Sequence, residues 1–150
     1  MKSDHHLILR VIAKTLLPLI TIYAFYVQFH GEVSAGGAFQ AGVVLAVAVI
    51  LYALIFGLAE AMRAVPPWFA RGLAAAGVLI YGGVGVWAMV QGGRYLEYQA
   101  LFNEPPGGHN GQHTGIILVE IGVLFAVAGA MVSIFYALAG RVAEIRDEDW

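Results

Sequence analysis

Four long apolar stretches constrain most strongly what this 150-residue chain can fold into. A helix that crosses the hydrocarbon core of a bilayer needs about 20 predominantly apolar residues. Two of the stretches carry no charge, the first carries Arg10 and Lys14 in its first two turns, and the last carries Glu120. The sequence therefore predicts four transmembrane helices, at about residues 7–29, 39–59, 72–90 and 114–140.

The composition supports the same class of protein. Hydrophobic residues make up 60% and charged residues 12% of the chain, against roughly a quarter charged in an average soluble domain. A soluble bundle needs polar helical faces, and no stretch has one. No two-residue alternation extends over the stretches, so a β-barrel is not favoured. We predict an all-α, multi-pass membrane protein, with residues 1–150 forming one integral membrane domain built on a four-helix bundle.

The basic residues predict the orientation of the chain, because Lys and Arg are enriched on the cytoplasmic side of membrane proteins. Only Arg94 falls on the opposite side from the rest. The other seven basic residues are Lys2, Arg10, Lys14, Arg63, Arg71, Arg141 and Arg146. Both termini, the tail 141–150 and the middle connection are therefore expected in the cytoplasm, and the loop 91–113 outside. In that loop, the spacing of Tyr95, Tyr98 and Phe102 predicts a short amphipathic helix on the outer surface.

Several classes of function are disfavoured. The net charge of −2 indicates neither a nucleic-acid footprint nor a strong patch for anionic membranes. The absence of cysteine rules out disulfides, thiolate metal sites and cysteine catalysis. No nucleophile–base pair, phosphate loop or pair of closely spaced acids is recognisable, so we predict neither an enzyme nor a cofactor. The first stretch lacks a cleavage site and is interpreted as a membrane helix, not as a secretory signal.

Glu120 is a carboxylate about two turns inside the predicted fourth helix, roughly 9 Å below Thr114 at 1.5 Å per residue. A charge at such depth is costly unless it is protonated, paired, hydrated or beside a cavity. The positions three and four residues away on its own helix are apolar, namely Ile116, Ile117, Val123 and Leu124. Compensation must therefore come from another element, a cation or a second protein. A way-station for protons or cations and a structural carboxylate near the interface both stay open.

Histidines near the outer end could serve Glu120. His113 lies seven residues before Glu120, so the two share a helical face if the helix begins early enough, and His109 lies one turn further back. A histidine titrates near neutral pH and could relay protons. Two histidines without a third ligand make a poor zinc site, so no metal site is predicted.

The first outer connection is short and rich in glycine. His30 and Gly31 are followed by a run in which Gly36, Gly37 and Gly42 flank Gln40. Such glycines permit unusual backbone angles and close approach, and the start of the second helix offers free amides for polar contacts. A tight helical hairpin turn that simply needs glycine is the alternative.

Three motifs occur together in this chain. They are His30-Gly31, the run Gly36-Gly37-x-Phe39-Gln40-x-Gly42, and the segment Thr114-Gly115-Ile116…Val119-Glu120-Ile121-Gly122-Val123. With these motifs and four helices, nearly the whole chain resembles the MrpB (also called MnhB) subunit of the multisubunit Na⁺/H⁺ antiporters, the Mrp complex.

The resemblance implies a small subunit of a large hetero-oligomeric complex that exports cytoplasmic Na⁺ in exchange for external H⁺. Its partners would be other Mrp-type subunits, membrane lipid, Na⁺ and H⁺, in the bacterial inner membrane. The predicted ion-pathway residues are Glu120, His30, Gln40 and His113, and the predicted loop motif is Gly31, Gly36, Gly37, Phe39 and Gly42. There are two alternatives: a purely structural scaffold subunit, and the equivalent subunit of a membrane-bound hydrogenase- or respiratory-type ion pump.

Overall fold

A computed structural model describes residues 2–31, 37–102 and 110–141, and within these ranges the chain is helical without any β-strand. Four helices are long and apolar enough to cross a membrane. The elements are α1 (Lys2–Phe29), α2 (Ala38–Phe56), α3 (Leu58–Ala64), α4 (Pro67–Val90), a short 3-10 turn (Tyr98–Phe102) and α5 (Asn110–Ala139). The chain is thus an all-α protein with four membrane-spanning helices, as the apolar stretches predicted.

The ends of three spans differ from the sequence-based bounds. The second span ends at Phe56, not at residue 59, because Gly57 takes a φ of 104° that no helix accommodates. The short helix α3 then follows. The third span begins at Pro67, where proline occupies the first helical turn and its missing N–H costs nothing. The fourth begins at Asn110, so the outer loop is shorter than residues 91–113.

The prediction of an amphipathic helix that includes Tyr95 was wrong. Leu96 has a φ of 62°, which ends any helix at that point, and only the 3-10 turn Tyr98–Phe102 follows. The rings of Tyr95 and Tyr98 pack over the positions of Gly85 and Gly115, where a Cβ would meet their ring atoms. These tyrosines therefore close the outer end of α4 and α5.

Helix α5 is the centre of the bundle. Its most extensive contacts are with α4 and then with α2, whereas α1 packs mainly on the far side of α2. Across the bundle the order is therefore α1, α2, α5, α4. Successive spans run in opposite directions, so the start of α1, the helix α3 and the end of α5 lie on one side of the bundle. That this side is cytoplasmic stays a prediction from the basic residues.

Glycines allow α4 and α5 to approach closely. A Cβ built at Gly77 would lie 2.9 Å from the Cα of Ala126 and nearer still to the backbone of Gly122. One turn deeper, Gly129 lies against the backbone of Ala74. Close approach of this kind is the usual basis of helix association in lipid.

Small residues recur every four positions on α5, at Gly122, Ala126 and Ala130, but not all of them pack against α4. Gly122 and Ala126 lie in the α4 interface, but Ala130 is exposed. On α4, nothing lies within 4 Å of a Cβ at Gly82 or Gly83. These two glycines are therefore open surface in the isolated chain.

The N-terminal side of the bundle is held by Tyr136 of α5. Its hydroxyl lies 3.1 Å from the carbonyl oxygen of Ala61 and 3.0 Å from that of Val65, and it donates to this pair. The tyrosine is 5% exposed and packs in one apolar cluster with Ala61 and Ala70. The bond anchors the C-terminal end of α3 to α5.

Candidate functional site

Glu120 lies on the central helix, on the side that faces α2. It is the tenth residue after Asn110, or about 15 Å along the axis of α5. Val127, two turns further on and on the same face, contacts Gly42 of α2, where a Cβ would lie 2.8 Å from the Cβ of Val127. Leu124, one turn further on, packs with Val27 of α1 in one apolar cluster. Glu120 therefore points toward the α1–α2 pair and away from α4.

The level of Glu120 along the bundle follows from the same contacts. On α5, Glu120 lies seven residues before Val127, or about 10 Å nearer the outer end. On α2, Gly42 lies about 6 Å from the first residue of the helix, Ala38. Glu120 thus lies level with the start of α2. Its side chain is half-buried and is held by at least one polar or electrostatic interaction. The carboxylate is placed at a polar end of an apolar interface.

His113 lies in the first turn of α5 and is exposed. Because the helix begins at Asn110, His113 and Glu120 do lie on one face, separated by about 10 Å along the axis. That separation is too long for direct proton transfer and would need a chain of water. His109 lies outside the described residues.

His30 follows the last residue of α1. Its Nδ1–H donates to the carbonyl oxygen of Tyr26 at 3.0 Å, and its ring stacks on that tyrosine with centroids 4.1 Å apart. The carbonyl can only accept, so this geometry assigns the proton to Nδ1. The ring is therefore held at the outer end of α1.

The glycines of the loop motif do not share one role. Gly37 caps α2 with a φ of −170°, which any residue can adopt, and a Cβ there would meet nothing within 4 Å. Gly31 lies in the turn after α1, and it is not among the described glycines with positive φ. Gly36 lies outside the described residues. Steric need for glycine is shown at Gly42, which packs on α5.

Phe39 and Gln40 face the other way. Phe39 is 66% exposed and Gln40 is also exposed, whereas Ala38, Ala41 and Gly42 are buried. Since Gly42 contacts α5, Gln40 lies on nearly the opposite face of α2. The structure therefore does not bring Gln40 to Glu120 within this chain, and leaves it on a surface open to lipid or to a partner.

Gln28 was not predicted from the sequence. Its side chain is 2% exposed, and its Oε1 has no hydrogen-bond partner within the part of the chain that the structure describes. It adjoins Val27, which packs with Ala41 and Leu124, so it lies on the packed face at the outer end of α1. A buried amide oxygen without a donor costs about 1–3 kcal/mol, so a donor from outside the described residues, such as a water, a ligand or another segment, would stabilise this position.

Tyr98 contributes a neutral hydroxyl on the other side of α5, where it packs with Val84 and Ala88 of α4. Burial raises the pKa of its phenol, and the neighbouring Tyr81 and Tyr95 raise it further. It therefore stays protonated at neutral pH and is not a proton carrier there. In the described ranges, no three His, Asp or Glu side chains come together as a metal site.

Comparison with known proteins agrees with this architecture. The family model described as "Domain related to MnhB subunit of Na+/H+ antiporter" matches residues 8–133. Proteins provisionally named antiporter subunit mnhB2 in Staphylococcus aureus strains MRSA252 and Newman are each 30% identical over 139 residues, covering 92% of this chain and 97% of theirs. The matched region includes His30, Gln28 and Glu120. The chain therefore belongs to the MnhB family, and it is a multi-pass protein of the cell membrane.

Proposed function

We propose that this chain is a small subunit of a hetero-oligomeric Na⁺/H⁺ antiporter, that it exports Na⁺ in exchange for external H⁺ together with its partner subunits, and that Glu120 lies in or beside the Na⁺ path. The observation that carries the proposal is the position of Glu120. It is the acid within the four spans, and it faces the α1–α2 pair at their polar outer end. The family membership and the relatives named as antiporter subunits support the same reading.

The chemistry of a carboxylate suits an exchange of these two ions. Na⁺ is a hard cation that prefers oxygen ligands, by analogy with Ca²⁺ and Mg²⁺. A half-buried carboxylate binds a proton or a cation but gains little from both, so arrival of one favours release of the other. His30 and His113 add imidazole rings, which can donate or accept hydrogen bonds, on the outer side. Together these residues form one polar end of a pathway whose remaining ligands come from partner subunits.

The exposed surface of the bundle is where those partners dock. Helix α1 exposes most of its large apolar side chains, and the exposed pair Phe39–Gln40 adds an aromatic and an amide to the outer end of α2. Gln40 thus contributes to the ion pathway only across an interface with another subunit.

The proposal predicts a specific effect of removing the side-chain amide of Gln28. Gln28→Leu keeps roughly the same volume and removes a buried oxygen that has no donor among the described residues, so thermal stability in lipid should be little changed. If Gln28 holds a water or an ion beside Glu120, Na⁺-dependent exchange should nevertheless fall by about three-fold or more. Gln40→Leu, at an exposed position, is the comparison for stability. Lower stability with unchanged exchange in Gln28→Leu would show that the amide is only a packing element.

The experiment that tests the function uses the assembled complex. Everted membrane vesicles with and without this subunit are energised, and the collapse of the proton gradient on addition of Na⁺ is followed with a fluorescent pH probe. We expect Na⁺-dependent exchange only when this chain is present. Full exchange by a complex shown to lack it would overturn the proposal.

A purely structural scaffold is the second candidate, and the same exposed apolar faces favour it. In that case, loss of the chain and substitution of Glu120 would both deplete the assembled complex on a native gel. A subunit of a hydrogenase- or respiratory-type pump is distinguished by the partners that copurify with the chain.

A further inference from the structure

A groove between α1 and α2 on the N-terminal side of the bundle is separate from the Glu120 region. It has a volume of about 900 Å³, and its wall carries the cations Arg10 and Lys14 of α1. These two residues are one turn apart and so lie on one face, about 6 Å from each other along the axis. The groove opens toward the surroundings of the bundle, not into its core.

The two cations are not compensated by the acid in the same groove. Glu60 also lines it, but its Oε1 lies 2.6 Å from Nη1 of Arg63, and the pair is already neutral. Within the described ranges, neither Arg10 nor Lys14 has an ion-pair partner. Lys and Arg side chains in the first turns of a span extend to the interface, where anionic head groups are available to them.

The remaining wall is apolar. Leu17, Pro18 and Ile22 of α1 continue the groove toward the middle of the span, and Phe56 of α2 faces them. The hydroxyl of Thr21, which also lines the groove, donates to the carbonyl of Leu17 at 2.9 Å and so adds no unsatisfied donor. The groove is therefore cationic near the N-terminal end of α1 and apolar toward the bilayer centre.

We propose that this groove binds one anionic phospholipid from the leaflet on the N-terminal side of the chain. The phosphate would lie between Arg10 and Lys14, and an acyl chain would lie along Leu17 and Ile22. Basic pockets between helices are the usual sites for anionic lipid head groups, and two cations at one end of an apolar slot match the layout of such a lipid. The net charge of −2 gives no sign of this site, because apart from Glu60, which is paired with Arg63, the other charged residues are not part of the groove wall.

The test is binding of phosphatidylglycerol and of phosphatidylcholine to the purified full chain, measured by native mass spectrometry. Arg10→Gln/Lys14→Gln should weaken phosphatidylglycerol binding ten-fold or more and leave phosphatidylcholine unchanged. Arg71→Gln/Arg141→Gln removes the same charge on the same side but outside the groove, and should change neither by more than two-fold. The variant Arg10→Lys/Lys14→Arg, which keeps both charges, should bind phosphatidylglycerol normally. This result would show that the loss of binding in the glutamine variant comes from the loss of charge and not from misfolding.

Equal binding of phosphatidylglycerol by both glutamine pairs would overturn the proposal, as would its displacement by millimolar inorganic phosphate alone. In the assembled complex, a cross-link from the Ile22→Cys variant to another subunit would show that a protein segment fills the groove instead. Phosphatidylglycerol that stays bound to the wild-type chain and is lost only in Arg10→Gln/Lys14→Gln would support the proposed lipid site. This result does not depend on transport activity.

Discussion

Glu120→Gln should reduce Na⁺-dependent proton exchange to the background of vesicles that lack the subunit, while the complex still assembles. Glutamine matches the shape of glutamate and keeps an oxygen acceptor, but it cannot bind or release a proton and carries no negative charge. A cation that needs this carboxylate loses an ion–charge contact at a half-buried position, and such contacts are worth several kcal/mol. The loss of exchange should therefore be more than about 100-fold, at unchanged abundance of the complex on a native gel.

Glu97→Gln is the matched control, since it removes the same charge at an exposed outer position. Its Oε2 accepts from the backbone N–H of Arg94 at 2.7 Å, and glutamine keeps an acceptor for that bond. Exchange should be near normal in this control and partly retained in Glu120→Asp. Normal exchange in Glu120→Gln would remove Glu120 from the mechanism, and loss of the complex from the membrane would favour the scaffold.

Gly77→Leu should cause the largest loss of stability among single substitutions in the chain. The added Cβ alone would meet the backbone of Gly122 and Ala126 at less than contact distance, and a helix backbone cannot move aside as a side chain can. Overpacking costs about 1–3 kcal/mol even where side chains yield, so separation of α4 from α5 should cost more. We expect a sharp drop in the amount of folded protein, measured as chain retained in membranes and as thermal stability in lipid.

Gly83→Leu is the control for this prediction, because it lies on the same helix in open space. It carries the same change in volume and helix propensity, and the isolated chain should keep its stability. Similar stability of the two variants would contradict the close approach of α4 and α5.

The spans could be predicted because the requirement for apolar residues across a bilayer is local in the sequence. The ends of the spans could not be predicted in this way. Gly57 is one of 19 glycines, and Leu58 continues the apolar run past it, so only its backbone angle reveals the break. The segment around Gly111 looks like a loop by composition, yet it is helical because Gly111 and Gly115 pack against Tyr98. At Gly111 and Gly115 tertiary contact overrides local preference, whereas at Gly57 the glycine's own backbone angle ends the helix.

The candidate site could be predicted only where a charge interrupts an apolar run. Glu120 stands out for that reason, whereas Gln28 is a neutral residue near the end of a span and is noticed only when its burial is known. The sequence also did not distinguish Gly37, which has no steric need of glycine, from Gly42, which has. In the sequence, Arg10 and Lys14 are visible only as two cations in the first turns of a span, because the groove that they share depends on where α2 lies.

The most direct test of the central claim is the infrared difference spectrum of the complex in lipid on replacing H⁺ by Na⁺ at fixed ionic strength. If Glu120 exchanges a proton for Na⁺, the wild-type complex should lose a protonated carboxyl band and gain a carboxylate band, and both should be missing in Glu120→Gln. Identical difference spectra for the two proteins would contradict a role of Glu120 in the ion path.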